Sequence, residues 1–248
     1  MPTPTDASPR SPGGADGPPG PPVLARGGSS AVSSRLLQFR QIGFLCLQVV
    51  LVRTVEVVPG AVGIVAPAGE PQIVLGPHPL TSFISSFRYP LAGEFAMATD
   101  LIRVNRIPGD WGLEVGVLAE IYRNLVPRRV CQVDLCDRYD HKHQPLSPAD
   151  ATTGLQKMAI DIAKSLFRNL ATEGVSFSGG EYRSLVIAYN RLAGDTIRQY
   201  FADAAINHMH FDRHVEGQAV DTFTRALKIA TEQFMEDPLD TILIPNWN

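Results

Sequence analysis

The sequence predicts a mixed α/β protein in three parts: a disordered N-terminus, a partial sheet and a helical C-terminal region. Three observations carry this. Proline and glycine crowd the start, where residues 1–80 hold 13 of the 20 prolines and 11 of the 21 glycines. Short apolar segments broken by turn residues follow, as far as Leu135. Three long stretches with apolar residues at helical spacing fill the remainder. The expected divisions are residues 1–75, a disordered or non-native segment, then 76–148 and 149–248.

The composition bounds the function. A chain of 248 residues, 44% of them hydrophobic, can bury a sizeable core, which excludes a wholly disordered protein. Twenty-two basic and 25 acidic side chains leave a net charge of −3. That balance offers no field for nucleic acid or anionic lipid, so neither is an expected partner. Cys46, Cys131 and Cys136 are odd in number and form no CxxC pair. A disulfide framework and a thiolate zinc site are therefore not expected, and a reducing, cytoplasmic setting is.

Along the chain, Pro2 to Ser34 is Pro, Gly, Ser and Ala with little apolar content, too little to offset ordering entropy. No apolar run follows a basic start, so no signal peptide is read there. Gly43 to Val52 is apolar but only ten residues long, half of the about 20 that span a bilayer. Gln48 to Leu75 is Val-rich and interrupted by Pro59, Pro67 and Pro71, which suits short strands at most. Ser82 to Phe95 reads as an extended segment leading to a turn at Gly93. Leu113, Val117, Leu118, Ile121 and Leu125 share one helix face that ends before Pro127. Arg128 to Leu135 alternates like a strand, with Val130 and Val133 turned inward, and a polar loop runs from Asp137 to Pro148.

The three long helices follow. The first uses Leu155, Met158, Ile162, Leu166 and Leu170, with Ser147 and Asp150 as its N-cap signal and Gly174 as its close. The second starts at Gly179-Gly180 and uses Leu185, Tyr189, Leu192, Ile197, Tyr200 and Phe201. The third runs from Val215 through Phe223 and Leu227 to Phe234 and stops before Pro238. The apolar tail from Ile242 to Trp247 is expected to dock on the body.

The densest polar stretch is Asp134-Leu-Cys-Asp-Arg-Tyr-Asp-His-Lys-His-Gln, after the predicted strand. In an extended loop His141 and His143 point the same way and can face a metal or a phosphate. Arg138 and Lys142 add charge suited to phosphate oxygens. A solvated charged loop has the same composition. Glu114 either meets the positive end of its helix or faces a cleft and bonds sugar hydroxyls. Glu94, beside Gly93, suits a turn acid. His208, His210 and His214 can make a metal site, or can be the polar connector between two helices.

Tyr89-Pro-Leu-Ala-Gly-Glu-Phe-Ala, Trp111-Gly-Leu-Glu-Val-Gly and Gln132-Val-Asp-Leu with the following Arg-Tyr-Asp-His-Lys-His-Gln stand in a telling order. In that order the chain resembles, from about Gly76 to Asn248, the C-terminal half of the glucosyl-3-phosphoglycerate synthase family of retaining GT-A glycosyltransferases. The resemblance implies a partial GT-A sheet under a helical region. It implies transfer of glucose from a nucleotide sugar to 3-phosphoglycerate, with Mg²⁺ or Mn²⁺. It assigns Glu114 to orienting the donor glucose, and Leu91, Gly93 and Trp111 to the sugar pocket. It assigns His141 to the metal, Arg138 to phosphate and His143 to the acceptor, with the two histidines exchangeable by a shift of alignment. A homodimer is also expected.

Two parts of the family pattern are missing. The sequence has no Asp-x-Asp motif, and Ala68-Gly-Glu-Pro stands where a Gly-Arg-x-Thr acceptor stretch is expected. The chain is therefore expected to be the C-terminal part of a longer enzyme joined to an unrelated N-terminus, and inactive alone. Two other readings compete: a non-catalytic module whose apolar helix faces associate, and a metal-binding or hydrolytic domain built on the six histidines.

Overall fold

The computed structural model describes residues 78–87, 90–91, 93–125, 129–133, 144–241 and 243–244. The expected disordered segment, residues 1–75, and most of the polar loop lie outside these. In chain order the elements are α1 (Pro79–Ser85), α2 (Thr99–Val104), β1 (Ile107–Pro108), α3 (Leu113–Asn124), α4 (Gly154–Thr172), α5 (Gly179–Ile206), α6 (Arg213–Glu236) and β2 (Leu243–Ile244). The described part is mostly helical, with one two-stranded sheet.

The three long helices form as their spacing predicts. α4 is the central one, buried between α3 and α6, and its Phe167 is fully enclosed. The Phe167 ring meets Phe177, Tyr182 and Phe234 at centroid separations of 5.9, 5.1 and 5.8 Å. Ser178 and Glu181 form a capping box at the start of α5, which satisfies two otherwise orphaned amides. Gly174, at φ +85°, closes α4. Its N–H bonds the Ala171 carbonyl, and Val175 N–H bonds that of Leu170, as a left-handed glycine terminus requires. One core cluster runs from Leu80 in α1 to Ala230 in α6.

Several local expectations are corrected. The segment expected to be extended from Ser82 begins inside α1. Pro79 starts that helix, the His78 ring accepts from Leu80 N–H at 3.2 Å, and Leu80, Phe83 and Ile84 share the buried face. Their spacing of three and four is a helical period within an aromatic-rich stretch. No strand forms over residues 129–133, and Val133 is 63% exposed, although Val130 packs on the core. Among the described residues the one sheet is formed by β1 and β2, so the alternation there is not joined to a ladder. Thr153 is the N-cap of α4. Asp150 instead accepts from Thr152 N–H at 2.8 Å in the preceding turn. Phe201 and Val215, expected on packed faces, are 43% and 53% exposed.

Of the tail, residues 243–244 are described, and they dock by pairing more than by burial. β2 lies antiparallel to β1, with Ile107 opposite Ile244 and Pro108 opposite Leu243. Both β2 side chains remain exposed. Among the described residues no helix is long and apolar enough to cross a membrane.

Candidate functional site

The residues between β1 and α3 build the site. Asp110 folds its side chain forward, and its Oδ1 accepts from Gly112 N–H at 2.8 Å. That is an Asx turn, the local bond that an aspartate two residues ahead of a helix start favours. α3 then begins at Leu113 with Gly112 as N-cap, and places Glu114 in its first turn. Gly112 has no room for a side chain, since a Cβ there would lie 2.5 Å from the Ser165 Cβ. The close approach lets Ser165 Oγ donate to the Gly112 carbonyl at 3.2 Å. Trp111 N–H points at buried Asp161 Oδ2, 3.5 Å away. The turn is thus seated on α4 by backbone groups, leaving the Trp111 ring 44% exposed.

Gly109, Asp110, Trp111, Leu113 and Glu114 line an open depression of about 340 Å³. Gly93 approaches from outside α3: its φ of +81° sets the backbone so that a Cβ would lie 3.7 Å from Glu114 Oε1. Burial pushes the Glu114 carboxyl above its ordinary value, its own backbone N–H draws it back, and the nearby Glu94 charge raises it further. Burial also raises Asp161, against the pull of Lys157, which ion-pairs with it. An aromatic face beside a half-buried carboxylate offers an apolar platform and strong hydrogen-bond acceptors. That combination suits a small polyhydroxylated ligand.

The chain is 44% identical over 174 residues to the glucosyl-3-phosphoglycerate synthase of Persephonella marina, covering 70% of this chain and 43% of that protein. It is 44% identical over 167 residues to the glucosyl-3-phosphoglycerate synthase of Methanococcoides burtonii, covering 66% and 40%. The chain is a partial, C-terminal match to the glucosyl-3-phosphoglycerate synthase family. It spans less than half the length of these curated synthases. No family model matches it, and no solved structure does so significantly.

The residues that the synthase resemblance singles out fall into two groups. Gly93, Trp111 and Glu114 come together around the depression and the start of α3, and Leu91 is half-buried against the core. Arg138, His141 and His143 lie outside the described residues. Among the described residues no group of three His, Cys, Asp or Glu side chains could hold a metal ion, and His208, His210 and His214 are exposed. In the sequence Asp110 stands out only by its place just ahead of the Leu113 helix face, and Glu94 only as a turn acid. The Asp-Trp-Gly triplet was the available signal for the first. Asp161, Ser165 and Thr241, whose hydroxyl bonds Asp110, carried none, because only tertiary packing brings them to this turn.

Proposed function

We propose that this chain carries the donor-sugar part of a GT-A-type, retaining glycosyltransferase site of the glucosyl-3-phosphoglycerate synthase kind, on residues 76–148, with residues 149–248 as its helical support. The observation that carries this is the approach of Gly93 to Glu114, which lines an open depression, in a chain 44% identical to two such synthases over 174 and 167 residues. The glucose of a nucleotide sugar lies against Trp111 and the backbone at Leu91 and Gly93. Glu114 bonds its hydroxyls and fixes the anomeric carbon for same-face attack by the 3-phosphoglycerate hydroxyl. Its contribution is orientation, since a held geometry replaces lost translational freedom.

Arg138 neutralises phosphate charge and His143 approaches the acceptor. A divalent ion, Mg²⁺ or Mn²⁺, would have His141 among its ligands and would supply Lewis-acid stabilisation to the departing diphosphate. The chain has no Asp-x-Asp motif, so we expect it to bind the sugar nucleotide weakly and to turn over only when a nucleotide-binding half carrying that motif is supplied.

The test is calorimetric titration of the chain with UDP-glucose and GDP-glucose, with and without Mn²⁺, alongside product analysis with 3-phosphoglycerate. Binding that is lost in Glu114→Gln supports the reading. Absence of any binding to the native chain overturns it. A second reading, a helical association module and homodimer, is favoured by Ile187 and Ile206 of α5, 70% and 76% exposed. Light scattering that shows a defined dimer without sugar binding would favour it.

A further inference from the structure

We propose that Asp240 and Thr241 form a strap that holds the Asp110–Glu114 turn in its ligand-facing shape, with Thr241 as the positioning residue for Glu114. The inference rests on the sugar-site reading above. Thr241 Oγ1 donates to Asp110 Oδ2 at 2.9 Å, across 131 residues of chain. The same hydroxyl accepts from Arg168 Nη2 at 3.0 Å, and its oxygen also lies 3.3 Å from Asp240 Oδ1. Asp110 Oδ1 in turn accepts from Gly112 N–H. An α4 guanidinium thus donates to a tail hydroxyl, the hydroxyl donates to the turn carboxylate, and the backbone two residues before Glu114 donates to the other oxygen of that carboxylate. The first two bonds run head to tail and polarise one another, and the carboxylate joins them to the turn.

The strap is itself anchored by charge. Lys164 and Arg168 are buried basic side chains of α4, and both ion-pair with the Asp240 carboxylate. Lys164 Nζ also donates to Gln233 Oε1 at 3.1 Å, and Arg168 Nε to the Pro238 carbonyl at 3.1 Å. Among the described residues Arg168 Nη1 is buried without a partner, and Asp240 is the main compensation for two desolvated cations. Apolar burial contributes little to the same segment, since Leu239 is 80% exposed and the β2 side chains face solvent. A segment held by polar bonds, with one of them landing on the site's own turn, is built to hold a shape more than to fill a core.

Thr241→Val keeps the volume and removes the donor. The experiment uses the full chain with Trp247→Phe, which leaves Trp111 as the one tryptophan of the two in the sequence. Acrylamide quenching of Trp111, titration with UDP-glucose and GDP-glucose, and the urea midpoint are then measured together. We expect Thr241→Val to raise the quenching constant and to weaken sugar-nucleotide binding about tenfold, with a nearly unchanged urea midpoint, and Thr241→Ser to restore both. Unchanged quenching, or a change that follows the urea midpoint and is not rescued by serine, overturns the strap. If the native chain binds neither nucleotide sugar, the sugar-site reading fails, and Trp111 quenching with serine rescue alone still decides the strap.

Discussion

Two regions of α4 do different work. Around the fully buried Phe167 the helix meets aromatic rings from the α4–α5 connection, α5 and α6. At Asp161 and Ser165, nearer its N-terminus, the same helix presents polar atoms to the turn that starts α3. Packing around Phe167 is non-directional and follows buried area. The bonds at Asp161 and Ser165 are directional and fix where a backbone turn sits. The first region makes the helices cohere. The second gives the open depression its shape, and substitutions should separate the two.

The largest effect belongs to the aromatic region. Phe167→Ala should lower stability by about 3–5 kcal/mol, because it removes contacts and leaves a cavity. Urea unfolding checks this, and a loss below about 1 kcal/mol would break the contrast. Gly112→Ala tests the polar region. Its new Cβ would meet Ser165 at 2.5 Å, so a loss of about 1–3 kcal/mol is expected from overpacking. Ser165→Gly in the same chain should recover part of it, because the obstructing Cβ is gone.

Smaller effects sharpen the line between the regions. Ser178→Ala removes one half of the α5 capping box and should cost about 1 kcal/mol, with sugar-nucleotide titrations unchanged. Glu114→Gln should do the reverse, abolishing that binding at little cost to the fold. Its pH dependence has a definite sign. Burial raises the Glu114 carboxyl in the folded state, so its contribution is fully present below the unfolded value and is lost as pH rises through the folded one. The glutamine variant should therefore be the more stable at neutral pH, and the difference should vanish in acid, as thermal melts across pH would show.

Local order was legible wherever a period and a terminus signal agreed. Leu155 to Leu170 repeats at helical spacing and ends in Gly174, and the helix and its left-handed close both form. The second helix starts at Gly179 as expected, and the structure adds a Ser178–Glu181 capping box that the glycine pair did not announce. Legibility failed where a short segment depended on distant partners. Residues 128–135 alternate as a strand would, yet no strand forms over the described part, and the strand that does pair with β1 lies in the tail. In the site, Gly93 and Glu114 could be singled out one by one from their resemblance, but their proximity could not.

By itself the sequence determined the three long helices, the glycine that closes α4 and the residues open to a sugar-binding role, because these rest on spacing and backbone preference within a few turns of chain. The tertiary structure alone decided that Asp161 and Ser165 seat the α3 turn, that Thr241 reaches Asp110, and that Arg168 and Lys164 share one tail carboxylate. Those choices depend on which groups the packed helices leave buried and in need of a partner. A buried polar atom takes the nearest complementary group that folding supplies, however far along the chain it lies.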